Sequence, residues 1–91
     1  MSIDERLTKI GQAQTRRELD QALDGYHEQV IANHSNLQLN YPFNLALERK
    51  QYFHALCDLK RAARGSLGNT YQEVIQILEI AADKQLSLGE L

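Results

Sequence analysis

His54 and Cys57 stand three residues apart in Phe53-His-Ala-Leu-Cys57. On a helix that spacing sets an imidazole and a thiol on adjoining sides. Such a pair is the beginning of a nucleophilic site, because the base takes the thiol proton and the thiolate attacks. The chemistry also needs an acid to orient the imidazole and donors for an oxyanion. Asp58 follows Cys57 directly and falls on another side of the helix, and no second acid is in register. A lone cysteine is an ordinary core residue. Zinc meets the same difficulty: His54 and Cys57 supply two ligands, and His27 or His34 would have to come from distant segments, without the paired spacing of a closed site. No Glu stands three residues before a His, so the di-metal carboxylate pattern is missing as well. Neither catalysis, nor a metal, nor a cofactor is expected.

The second chemical candidate is the stretch Ala63-Arg-Gly-Ser-Leu-Gly-Asn-Thr-Tyr-Gln-Glu-Val74, entered from the basic run Lys60-Arg61-Ala-Ala-Arg64. A glycine loop leading into a helix offers unpaired amides to a phosphate. A Gly-x-x-Gly loop also serves KH nucleic-acid-binding domains, beside a small sheet; this chain carries no convincing strand. A P-loop would need Gly-Lys-Ser/Thr, which is missing. The plain explanation covers every residue. Gly65 ends one helix, Gly68 allows the turn, Thr70 caps the next helix, and Glu73 closes a capping box.

Charge gives the third candidate. Arg49, Lys50, Lys60, Arg61 and Arg64 make residues 43–64 net +3 against Glu48 and Asp58. On one continuous helix they would cover roughly a third of the circumference, enough for phosphate contacts. Long basic side chains also lie over apolar surface in many solvated helices. Glu18, Asp20, Asp24 and Glu28 make an acidic strip on the preceding helix, suited to solvent or to a basic partner. The whole chain is net −2, which argues against charge-driven nucleic-acid binding as the main activity.

The elements that must position these residues are helices. Ninety-one residues fit one domain, 1–91, and the chain has five Gly and one Pro, too few breakers for many short strands. Ser2-x-x-Glu5, Thr15-x-x-Glu18 and Thr70-x-x-Glu73 each precede apolar residues at helical spacing, which is the capping-box signature. Ile3, Leu7 and Ile10 define a short first helix, closed near Gly11–Gln14. Leu19, Ala22, Leu23, Tyr26 and Val30 define a second over 16–32, with Gly25 inside it as a kink or close contact. The Asn-rich piece 33–44 reads as irregular, in part extended at Leu37–Tyr41, with a new helix from Pro42. The third and longest helix, 43–64, is apolar on two sides, through Leu45, Tyr52, Leu56, Leu59 and Ala63 and through Ala46, Phe53 and Cys57. A fourth, 71–85, buries Tyr71, Val74, Ile75, Leu78, Ala81 and Ala82 and leaves Ile77 and Ile80 outside that face.

The expectation is an all-α bundle of about four helices, one short and three longer. The single cysteine suits a reducing compartment. No apolar run exceeds three residues, so no membrane span is expected. The opening MSIDERLTKIG does not read as a secretory signal, and the cytoplasm is the expected location. The surplus apolar surface points to a small accessory module that binds another protein or a second copy of itself. Phe53, Ile77 and Ile80 are the expected contacts. The alternative is a nucleic-acid-binding regulator using Arg49, Lys50, Lys60, Arg61 and Arg64.

Overall fold

Three of the helix starts follow from a side chain that accepts a backbone proton. In the computed structural model, which describes residues 2–64 and 71–89, the Ser2 hydroxyl accepts from the Glu5 amide and opens α1, Ile3–Gln12. Thr15 accepts from Glu18 and opens α2, Arg16–Ala22. Asn40 accepts from the Phe43 amide at 3.1 Å and opens α4, Tyr41–Glu48, with Pro42 in the first turn, where a missing amide proton costs nothing. α3 spans Tyr26–Asn33, α5 Tyr52–Ala63 and α6 Gln72–Ser87, with a 3-10 turn at Ser35–Leu39 between α3 and α4. The chain is all-α. The third capping box falls partly on Thr70, outside the described residues.

Two expected helices are each divided. The stretch 16–32 breaks at Gly25, which takes φ 75° and leads into α3. Gly25 does more than kink a helix there, because the left-handed conformation ends α2 and re-aims the chain. Leu19, Ala22, Leu23, Tyr26 and Val30 are nevertheless all buried on both sides of the break. The stretch 43–64 breaks at Lys50, at φ 58° the one non-glycine residue with positive φ among those described. The Gln51 amide donates to Ala46 O at 2.9 Å and the Lys50 amide to Leu47 O at 3.0 Å. These two bonds form a Schellman motif with lysine where glycine is usual. The third helix is therefore α4 plus α5, and α6, with 16 residues, is the longest. Leu37–Tyr41 is not extended: residues 35–39 form the 3-10 turn and Tyr41 already belongs to α4.

Each break is held by an arginine from elsewhere. Arg6 sits in the middle of the α1 apolar stripe and is 4% exposed. Its Nη1 donates to Ala22 O and Asp24 O, both at 3.1 Å, and its Nη2 to Gln29 Oε1 at 3.1 Å. The guanidinium also lies 4.9 Å from the centroid of the Tyr26 ring. It thus satisfies carbonyls that the end of α2 leaves without an intrahelical partner. Arg16 does the same at the second break, where its Nη2 donates to the Lys50 carbonyl. Its Nε pairs with Asp20 at 2.9 Å, and the Tyr52 hydroxyl donates to the same Asp20 oxygen at 2.8 Å.

The core runs through Ile10, Leu19, Val30, Phe43, Tyr52, Leu59, Ile77 and Leu78. α6 touches α1, α2 and α5, and α4 packs on α5. Among the described residues no helix is long and apolar enough to cross a membrane.

Two substitutions test these breaks. Arg6→Met keeps the volume and orphans two backbone carbonyls, so it should destabilise the fold by about 2 kcal/mol or more in chemical denaturation. Lys50→Gly relieves the left-handed backbone and should stabilise it by roughly 0.5–1 kcal/mol. A destabilising Lys50→Gly would contradict the strained turn.

Candidate functional site

The residues named for chemistry do not converge. The His54 ring lies edge-on to Phe53 at 6.0 Å and is exposed, while Cys57 is half-buried. Among the described residues no three His, Cys, Asp or Glu side chains cluster as metal ligands would. The loop Gly65-x-x-Gly68 lies outside the described residues. The five basic residues do not share one helix face. Arg49 and Lys50 belong to the turn between α4 and α5, while Lys60, Arg61 and Arg64 stand at the far end of α5. Arg61 is also paired with Asp58 at 3.2 Å. The acidic strip is divided too: Glu18 accepts from the Gln14 amide, Asp20 turns inward to Arg16 and Tyr52, and Asp24 sits at the Gly25 break.

The three expected contact residues separate. Ile77 is 1% exposed and belongs to the core, which corrects its assignment to the surface. The reason is the flanking of α6 by α1 on one side and α5 on the other. Its buried residues from Ile77 round to Ala82 therefore sweep about 140° at helical spacing, wider than one packing face. Ile80 lies just past that arc at 36% exposure, and Phe53 is 50% exposed.

Phe53 opens onto the principal apolar groove. One wall is α5, through Phe53, Leu56 and Lys60. The other is α6, through Glu79, Ala82, Asp83 and Leu86, and together they enclose about 200 Å³. Leu86, which the sequence reading did not single out, is 58% exposed there. The signal was available: at 100° per residue Leu86 falls near Ala82 and Ile75, on the α5 side of α6. Ile80 is on the opposite shoulder, beside Lys84, whose Nζ donates to Gly11 O of α1 at 3.0 Å. Phe53 and Ile80 therefore do not form one patch. Lys60, Glu79 and Asp83 rim the groove, and among the described residues their side chains carry no ion pair or hydrogen bond.

A second hollow, about 50 Å³, lies among Arg6, Tyr26, Gln29, His34 and Glu73. It has room for about one or two water molecules and none for a metabolite. Burial pushes the Tyr26 phenol far above its ordinary value, the Glu73 carboxylate adds to that, and Arg6 opposes it. The Tyr52 phenol is raised by burial first and then by its hydrogen bond to Asp20. Both groups support packing rather than proton transfer near neutral pH.

Compared with protein-family models, curated proteins and solved structures, the chain matches none.

The raised phenols have a consequence at high pH. In the unfolded chain a tyrosine ionises near about 10, whereas Tyr26 and Tyr52 hold their protons when folded. Their stabilising contribution is complete below about pH 10 and is lost as pH climbs above it, because the unfolded chain then releases protons the folded one retains. Denaturation midpoints measured from neutral to strongly alkaline pH should fall above about 10, and less so in Tyr52→Phe. A pH-independent midpoint would show that these hydroxyls are not buried.

Proposed function

We propose that this chain is a small helical protein–protein interaction module of regulatory character, working through the groove between α5 and α6. The observation that carries the reading is the pair Phe53 and Leu86, half or more exposed across a groove floored by Leu56 and Ala82. Aromatic and aliphatic side chains left open over an apolar floor are what interface cores are made of. The rim supports a protein rather than a nucleic acid, since Glu79 and Asp83 outnumber Lys60. Leu39 at the end of the 3-10 turn and Tyr41 at the start of α4 are more exposed still, at 91% and 71%, and Ile80 is 36% exposed elsewhere. The cytoplasm is the compartment this reading assigns, with Cys57 kept reduced.

Nucleic-acid binding is the second reading, and its support has narrowed. Lys60, Arg61 and Arg64 still cluster at the end of α5, but Arg49 and Lys50 no longer extend that face. If the module bound nucleic acid, affinity would fall steeply with salt and drop further on charge reversal at Arg61 and Arg64.

A photo-crosslinking amino acid at position 53, used in the source cells, tests the primary reading. The expected product is a covalent adduct to protein, resistant to nuclease and missing when the crosslinker sits at Gln12, an exposed position at the end of α1. No adduct at position 53, or one that disappears with nuclease, would overturn the protein-interaction reading.

A further inference from the structure

We infer that the occupant of the α5–α6 groove is the same groove of a second copy, joined about a twofold axis running parallel to the two helices. This inference rests on the protein-interaction reading above and names its partner. Eight residues, 64–71, connect α5 to α6, and so short a link between contacting helices makes them antiparallel neighbours. The groove therefore has three levels. At helical rise, Phe53 faces Leu86 at one end, Leu56 faces Ala82 in the middle, and Lys60 stands opposite Glu79 at the other end, with Asp83 between the levels of Ala82 and Leu86.

A twofold along the groove keeps each level and exchanges the walls. α5 of one copy then lies on α6 of the other. Phe53 of each copy meets Leu86 of the other, and Leu56 meets Ala82. Lys60 meets Glu79, with Asp83 about one helical turn further along; none of these three side chains has an ion pair among the described residues. The product is an antiparallel four-helix bundle, in which every exposed apolar residue of the groove gains an apolar neighbour and Lys60 and Glu79 each gain an opposite charge. A surface that complements itself in this way is what an isologous interface requires. A twofold across the helices would instead set Lys60 over Phe53 and leave the acids facing one another's level without a cation. The small net charge of −2 adds little repulsion between copies.

Sedimentation velocity over a concentration series tests this with the intact chain. The wild type should sediment as a concentration-dependent dimer. Phe53→Asp and Leu86→Asp change exposed residues, so circular dichroism should be unchanged while the dissociation constant rises about 30-fold or more. The rim supplies an independent test. Lys60→Glu alone, and Glu79→Lys/Asp83→Lys alone, should each weaken the homodimer by a few-fold. Mixed together, the two variants should form a heterodimer in preference to either homodimer, because both rim contacts are then attractive. A wild type that stays monomeric throughout, a dimer indifferent to both Asp substitutions, or a mixture without heterodimer preference each overturns the inference. A monomeric wild type that still crosslinks another protein through position 53 removes the second copy and leaves the interaction module standing. Loss of every crosslink at position 53 removes both.

Discussion

Arg6 is a full charge placed inside a 91-residue protein, and among the described residues no carboxylate pairs with it. It meets the carbonyls of Ala22 and Asp24, the amide oxygen of Gln29 and the face of Tyr26. Taking a guanidinium out of water is costly. Here the cost offsets another one. α2 must stop at Gly25 if α3 is to turn back, and stopping it exposes carbonyls that water cannot reach at this depth. A planar group with several donors in a fixed fork can serve two of them together, which a lysine ammonium does less well. α1 is in this sense an intermolecular-style ligand for the α2–α3 corner, delivered from within the same chain. Arg16 repeats the arrangement at Lys50, using Asp20 and Tyr52 to fix its orientation.

These two anchored corners determine where the remaining surface falls. By turning α3 and α5 back, they let short segments surround α6 instead of forming long parallel rods. α1 and α5 then cover opposite shoulders of α6, which takes Ile77 inside. Among the described residues no helix covers the far edge of the α5–α6 pair. Phe53 and Leu86 are exposed for that reason, and the groove is a product of topology as much as of composition.

Ser2, Thr15 and Asn40 show what local chemistry reveals, since a side chain that bonds its own backbone a few residues on marks a helix start without help from the rest of the fold. The buried stripe from Leu19 to Val30 was equally legible, because period survives a change of direction. The breaks were less so. Gly25 carried a hint that propensity alone priced as a weak helix residue, whereas Lys50 carried none: its carbonyl is held by Arg16, which is distant in sequence. Arg6 sat in plain view between Ile3 and Ile10, three and four residues from each, and a charge at the centre of an apolar stripe is the sign that was missed. Ile77 was misplaced because one apolar stripe at helical spacing does not anticipate packing on two sides. Leu86 lay just beyond the expected helix end, and α6 continues to Ser87.

The lengths of the helices also bear on how the chain is made. α1 to α5 have between 7 and 12 residues, and isolated helices below about 12–15 residues are marginal in water. α6 is the longest and follows the rest in synthesis, yet it is the surface on which α1, α2 and α5 rest. A ribosome therefore releases α1, α2 and α5 before the helix they pack on exists. Until α6 emerges, those three helices lack one side of their packing.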